Sequence, residues 1–526
     1  MGAMHDVSKE FDVPRRQHVV GLIVLIGWQS RHILRAAWPI LIAAYLQQAE
    51  DAQYFLWAIA AGSALTVLGA VLHFWRFTFN VDGGKFHVHK GLFVREKINI
   101  PLERVQAVHL EQNLVQRLFG VSGLRIDTAG TSGTELRIHA LKWAEAQQLR
   151  AMLTSDLDVN LDSNHHSSPA PSEVTSTSGS ERTSPLMDLD FAALLKVGLS
   201  QNHLSKIAFA IGGVLTFQGV AWEVVEELWS RIPSLWRNVL LFVSPLLLVF
   251  SPILIALASV LISVITSVLR HWKLRVWLEG SKAHRSAAIH LTQGLLNRQA
   301  MQIPVHKVQS VTWESTWIRR LFSMDTVHIR QAAAGGAVSG SDGDGAGGMG
   351  GDAMKMGIPA MNSGRTRKLE GLLFPEWPQR PLVTLRPEKY AFWVRWSRRS
   401  LALSFLALGV GWWLGATWGV ALALALWSWS GWLSFKVYRG RWATTDGRHL
   451  SAHQGWWFRK RVMIDWHKLQ AVELTQNRFQ ARRNVAHVTF HTSSGIAQLP
   501  HLQIDIACEL RDLAMAAVIA HEGPWM

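Results

Sequence analysis

One cysteine, Cys508, serves the whole 526-residue chain. A lone thiol excludes an intramolecular disulfide framework and any thiolate-cluster zinc site, and it fits soluble parts that face a reducing cytoplasm. Catalytic signatures are missing as well. No His-Glu-x-x-His, Gly-x-x-x-x-Gly-Lys-Ser/Thr or Gly-x-Ser-x-Gly occurs, which removes the usual marks of a zinc hydrolase, a phosphate-cradling loop and a nucleophile elbow. The expectation is a protein that is not an enzyme and uses no cofactor or metal. Tyrosine is scarce, 4 residues against 26 Trp, a skew toward the ring that settles at the headgroup level of a bilayer. Acids are scarce too, 38 against 53 Lys and Arg, for a net charge of +15.

Position decides what that positive excess means. Arg15, Arg16, Arg31 and Arg35 precede a first pair of apolar runs and Arg76 follows it; Arg270, Lys273 and Arg275 follow a second pair. Arg395, Arg398 and Arg399 precede a third, with Lys436, Arg439 and Arg441 behind it. The connectors inside the first two pairs are acidic: Glu50 and Asp51, then Glu223, Glu226 and Glu227. Lysine and arginine mark the cytoplasmic flanks of spans. The amino terminus and everything between the pairs are therefore expected in the cytoplasm, at the inner membrane of a bacterium, and no nucleic-acid partner is needed to explain the charge.

A helix needs about 20 apolar residues to cross a bilayer, because its backbone polar groups must be satisfied internally there. Six spans in three hairpins are expected: 33–47 with 54–75, 207–225 with 236–269, and 401–414 with 416–435. The third pair turns very tightly at Gly415, so a re-entrant hairpin is the alternative to a fully spanning one. Segment 19–28 is short, lacks a cleavage pattern, and reads as an interfacial lead-in helix.

Between the apolar pairs the chain repeats itself. Segments 91–121, 294–324 and 455–485 align without a gap and share Gly91/Gly294/Gly455, Arg95/Arg298/Arg459, Ile100/Ile303/Ile464, Arg104/Lys307/Lys468, Gln106/Gln309/Gln470 and Val108/Val311/Val472. A repeat of this length fixes the architecture as copies of one unit. Strand-like runs flank Asp82-Gly83 and Asp446-Gly447, a strong hairpin signal. The shared Ile-x-x-x-[Arg/Lys]-[Val/Leu]-Gln-x-Val stretch alternates as a strand does. Further strands are expected at 124–127, 135–139, 488–491 and 496–499, and closing helices at 142–153 and 505–520. The middle copy shows no clear closing helix, since Pro378, Pro381 and Pro387 crowd its end.

The expected layout is a lead-in (1–31), hairpin one (32–75), module one (76–154), a Ser/Thr/Pro-rich linker (155–190), hairpin two (203–269), module two (270–385) with a Gly-rich loop (332–365), hairpin three (398–435) and module three (436–522). Each module suits a small β-barrel or roll with one end plugged by a helix.

Those residues carry a resemblance. With Gly91 and Arg95, Ile100-Pro101, Arg104-Val105-Gln106, Val108 and Leu118-Phe119-Gly120-Val121, copy one resembles the bacterial pleckstrin-homology-like membrane proteins of the YdbS/YdbT type, whose repeat is known as domain of unknown function 304. Copy two keeps Ile303-Pro304, Lys307-Val308-Gln309, Val311 and Leu321-Phe322, with Ser323 in place of the glycine. Copy three departs most, with Asp465 in place of proline and Arg482-Arg483-Asn484 in place of Leu-Phe-Gly. The resemblance implies membrane helical hairpins joined to α+β modules: three pleckstrin-homology-like (PH-like) barrels or rolls, each following a transmembrane helix pair. It implies no reaction.

Repeated cations in modules tethered to a bilayer point to anionic headgroups, which attract each one by about 1 kcal/mol. Arg95, Arg104, Arg298, Lys307, Arg459 and Lys468 are the candidate contacts to lipid headgroups or protein partners. The repeated Gly, Ile, Gln and Val residues are expected to be structural. His306 and His467 share a repeat position where copy one has Glu103, and a solvated strand edge explains them. The functional expectation is a scaffold that binds membrane lipids or proteins through its modules. The alternative is a subunit of a transporter or lipid-handling, envelope-maintaining complex in which the modules regulate.

Overall fold

The computed structural model describes residues 11–27, 52–91, 95–102, 105–128, 136–159, 186–201, 253–254, 256–279, 287–331, 355–377 and 382–521. The first of each expected hairpin's two runs is described only for the third pair. Spans 33–47 and 207–225, residues 160–185 of the linker with its His165-His166 pair, and the Gly-rich run with Asp342 and Asp344 lie outside the described residues.

Module one begins ahead of its long apolar helix. Strand β1 (Arg15–Arg16) pairs with β2 (Thr78–Asp82), which follows helix α1 (Ala52–Arg76). β3 (Lys85–Lys90) and β4 (Glu96–Pro101) complete an antiparallel sheet, and β5 (Val105–Gln112), β6 (Val121–Thr128) and β7 (Leu136–Lys142) form a second. A five-residue helix, α2 (Leu114–Leu118), bridges β5 to β6, and α3 (Trp143–Val159) closes the module. Alternate residues of the strands point inward: Phe79, Val81, Phe86, Val88, Val108, Leu110, Leu124, Ile126 and Ile138 are buried together, and α3 covers them with Ala146, Leu149 and Leu153. Each such aliphatic or aromatic side chain stabilises the fold by about 1.5–3 kcal/mol relative to exposure. The lead-in also packs here, with Val20 against Val121 and Ala140, and Leu25 against Ala70 and Phe74 of α1.

The pattern recurs twice. Module two consists of β8 (Met187–Asp188), α4 (Phe191–Leu199), α5 (Ala256–His271), β9 (Arg275–Glu279), β10 (Ala288–Gln293), β11 (Arg298–Pro304), β12 (Val308–Ser315), α6 (Trp317–Leu321), β13 (Asp325–Gln331), β14 (Lys355–Met361) and α7 (Ser363–Leu373). Module three consists of β15 (Val383–Leu385), α8 (Tyr390–Leu414), α9 (Ala416–Arg439), β16 (Trp442–Thr445), β17 (His449–Gln454), β18 (Arg459–Asp465), β19 (Leu469–Thr475), α10 (Arg478–Ala481), β20 (Val485–Thr492), β21 (Gly495–Gln503) and α11 (Ile504–Ile519). The core of module three gathers around Trp466 and Phe490 beneath Ala507, Leu510 and Ala514.

Several local expectations change. The short strands β8 and β15 pair with β9 and β16, so the helices between them leave from within a module and do not merely precede it. Two- and three-residue strands carry too few positions for a periodic signal. The repeat motif is a corner, not one strand: Ile303 and Ile464 are the penultimate residues of β11 and β18, three-residue 3-10 turns follow at Val305–Lys307 and Trp466–Lys468, and the Gln-x-Val part opens the next sheet. Asp82 pairs with Lys85, so Gly83 and Gly84, both at positive φ, form the two-residue turn. Module two does close with a helix, α7, capped by the Asn362 side chain and anchored by buried Leu369; the prolines come after it. The paired β14 and α7 also occupy the end of the stretch expected to be the 332–365 loop.

By length and composition one described helix, α9, is apolar enough to cross a membrane; α5 is a shorter apolar helix. α8 and α9 form an antiparallel hairpin joined at Gly415, whose φ is 103°. They touch backbone to backbone at Gly411 and Gly419, where a Cβ on Gly419 would sit 2.6 Å from the Gly411 Cα. Ser400 and Ser430 hydroxyls meet at 3.0 Å, and the Trp427 indole N–H donates to Ser404 at 2.9 Å. Small residues and hydroxyl pairs of this kind hold helices together in lipid.

The modules are fused through their sheets. β5 pairs with β11 and β12 pairs with β18, so two seven-stranded sheets each run from one module into the next.

Candidate functional site

The repeat glycines make the turn that places the first set of cations. Gly91, Gly294 and Gly455 adopt φ of 106°, 105° and 88°, a region costly for any residue with a Cβ. A Cβ on Gly294 would also collide with the Asn297 carbonyl. The turn delivers Arg298 to the start of β11, opposite Gln112 of β5.

There, at the seam between modules one and two, lies a cavity of about 580 Å³ whose lining includes Arg117, Arg150, Lys273, Arg275 and Arg298, two indole rings, Trp143 and Trp272, and no acidic residue. α2 holds Arg117 in place through a capping box in which Asn113 and Gln116 exchange hydrogen bonds of 2.8 Å. Arg150 donates to Gln302 at 3.0 Å, and burial lowers its pKa against the opposing pull of Glu279. Arg275 is 3.8 Å from Asp188. Arg117, Lys273 and Arg298 make no ion pair among the described residues. Trp272 and Lys273 directly follow α5, which exposes Leu257, Leu261, Ile262 and Ile265. The cavity therefore opens where an apolar helix ends.

A second basic cluster lies at the foot of the third hairpin. Arg395, Arg398, Arg399 and His501 line a cavity of about 370 Å³, and no acidic partner reaches these arginines among the described residues. Burial and then the Arg399 charge lower the pKa of Arg441, which also belongs to this cluster. Burial first, then the charges of His487, Arg395 and Arg441, push His501 down to about 4.

Apolar tips accompany the cations. The Leu-Phe residues of the repeat are exposed: Leu118 at 81% and Leu321 at 73%, with Phe119 and Phe322 beside them. α6 stands against the third hairpin's foot, because Arg320 donates to the carbonyls of Trp456 (3.2 Å) and Trp457 (3.0 Å), and Trp456 packs on Trp432 of α9 at 5.1 Å.

Five of the six expected contacts separate into two groups. Arg95 and Arg459 are exposed at the starts of β4 and β18, and Arg298 lines the cavity; Arg104 lies outside the described residues. Lys307 and Lys468 instead reach across the seams. The Lys307 ammonium donates to the Val105 carbonyl at 2.9 Å, and that of Lys468 to Val308 at 2.6 Å and His306 at 3.2 Å. Val105 and Val308 occupy the same repeat position, so this is one contact made twice. Burial lowers Lys307 to about 8 and also lowers Lys468, against the pull of Asp465. Of the repeat core, Ile100, Ile303, Ile464, Val108 and Val311 are buried, Val472 is half-buried, and Gln309 is buried where Gln470 is exposed. The Gln106 side chain is outside the described set. His467 Nδ1 lies 2.6 Å from Asp465 Oδ1, and its ring stacks on His521. Among the described residues no His, Cys, Asp or Glu grouping fit for a metal occurs.

Sequence reasoning missed Arg117, Lys273 and Arg275 as lining residues. Only Arg117 left a repeat signal, recurring as Arg320 before Leu-Phe. Lys273 and Arg275 registered as flank charge alone.

A bacterial PH domain model matches residues 22–156, 235–373 and 391–518. The chain is also similar to the transmembrane protein YdbT of Bacillus subtilis (strain 168), at 26% identity over 140 residues, 26% of this chain and 28% of that relative. That match spans less than a third of the relative's length. No solved structure matches. Each matched segment contains the last six strands of a module, the short strands β1, β8 and β15 lying outside it, and the chain belongs to the bacterial PH domain family.

Proposed function

We propose that the chain is a multi-pass inner-membrane protein whose hairpins hold three PH-like modules on the cytoplasmic face, where they dock anionic lipid headgroups as a non-catalytic scaffold. The observation that carries this reading is the seam cavity: among the described residues Arg117, Lys273 and Arg298 have no acidic partner, and they converge where α5 ends. Unpaired cations beside a low-dielectric surface favour a phosphate group strongly, because charge-assisted hydrogen bonds are the strong ones. Indoles and the exposed Leu-Phe tips supply the apolar contact that a headgroup-level surface requires. The hairpin's basic foot, with Arg398 and Arg399 at one end and Trp412, Trp413 and Trp418 exposed at the other, supports a cytoplasmic orientation.

The test uses the full chain in nanodiscs of neutral lipid with or without an anionic phospholipid. Native mass spectrometry is expected to find anionic lipid retained by the protein, and Lys273→Gln with Arg298→Gln is expected to reduce that retention at least tenfold. Equal retention of neutral lipid, or a folded double variant that keeps its anionic lipid, refutes the headgroup role.

A further inference from the structure

Both internal seams use one geometry. Arg298 pairs with Gln112 and Gln299 with Glu111 at the first; Arg459 pairs with Ser315 and Lys460 with Glu314 at the second. These are the same repeat positions, so the register is identical, and in each case a lysine of the later module holds a carbonyl of the earlier one. Two halves of this joint are unused. Among the described residues β4 corresponds to β11 and β18 but pairs only with β3, and β19 corresponds to β5 and β12 but pairs only with β20. Their exposure follows. Gln309, Ser310 and Thr312 of β12 are buried by β18, while Gln470, Ala471, Glu473 and Thr475 of β19 are exposed, and so are Glu96, Lys97 and Asn99 of β4.

We propose that copies of this chain join head to tail, β19 of one copy pairing antiparallel with β4 of the next in the register of the internal seams. An exposed strand edge is a template for another strand, and here the complementary edge belongs to the same molecule. The register sets Glu96 opposite Thr475 and Lys97 opposite Leu474. A heterologous contact of this kind yields a ring if its rotation closes and a filament if it does not. If the hairpins share one bilayer, as in the proposed function, successive copies rotate about the membrane normal without rise, and the assembly closes into a ring. The strand pairing itself does not depend on that reading. Module three carries Ala481 where Arg117 and Arg320 stand, so the joint between chains lacks the arginine bond to the following turn and is weaker than the internal seams.

Site-directed cross-linking in membranes tests this, in a Cys508→Ser background. Mixed chains carrying Glu96→Cys or Thr475→Cys are expected to give a disulfide-linked dimer, and the double variant a ladder of oligomers. Glu111→Cys with Gln299→Cys, the homologous pair within one chain, is the positive control for geometry. Glu96→Cys with Leu474→Cys, whose side chains face opposite sides of the sheet, is the negative one. The proposal is overturned if the internal pair links while the Glu96 and Thr475 positions stay monomeric. It is equally overturned if the off-register pair links as well, or if the edge cysteines are captured by a protein of another mass.

Discussion

Replacing Lys468 with methionine tests whether the seam lysines fasten one module to the next. The side chain keeps most of its length and loses its charge. Two hydrogen bonds from an ammonium disappear, to Val308 at 2.6 Å and His306 at 3.2 Å, each of a class contributing about 1.5–3 kcal/mol, and two carbonyls lose their donor. Burial already lowers the lysine's pKa, so removing the charge also relieves a desolvation cost. The net loss is then about 2–4 kcal/mol. At about 1.4 kcal/mol per tenfold change, β12–β18 amides should exchange hydrogen roughly 30- to 700-fold faster. Hydrogen exchange read by mass spectrometry on the full chain in nanodiscs resolves this by segment. Acceleration confined to β12, β18 and their neighbours fits a fastener between modules. Unchanged exchange at β12 and β18 refutes it, and equal acceleration through β20 and β21 means that Lys468 supports module three itself.

Gly419→Val should splay the third hairpin, because its Cβ would meet Gly411 Cα at 2.6 Å and the Ala407 carbonyl at 3.2 Å; overpacking of this kind costs about 1–3 kcal/mol. A lower melting temperature is expected for it and none for Gly409→Ala, which has open space around it; equal melting would show the close approach to be unimportant. Acid should destabilise the modules, since burial and nearby arginines push His109 down to about 3 and His453 to about 4, with His501 also at about 4. The native state then binds fewer protons than the unfolded chain below about pH 6.5, so their contribution is complete above that pH and is lost as pH falls toward 4. Thermal melts from pH 7.5 to 4.5 check this, and a flat profile contradicts it.

Much of the module was legible because its signals are local. The Gly91/Gly294/Gly455 turns, the alternating strands around Val108 and Val311, and the helices that follow β7 and β21 each leave a periodic or positional mark. The Lys307 and Lys468 repeat was equally visible, yet its role was not: a repeated cation looks the same whether it faces a phosphate or a carbonyl of the preceding module. α7 was hidden because only Leu369, Leu372 and Leu373 mark its apolar side, and nearby prolines obscured it.

The sequence by itself determined the threefold repeat, the apolar pairs, the placement of positive charge and the inward-facing residues of most strands, since each depends on neighbours a few positions away. Only the tertiary structure decided that β1, β8 and β15 precede their helices, that β5 meets β11 and β12 meets β18, and that Arg117, Lys273 and Arg298 surround one cavity. Those contacts join residues from separate modules. Their energy comes from backbone pairing and burial between distant segments, which no local pattern encodes.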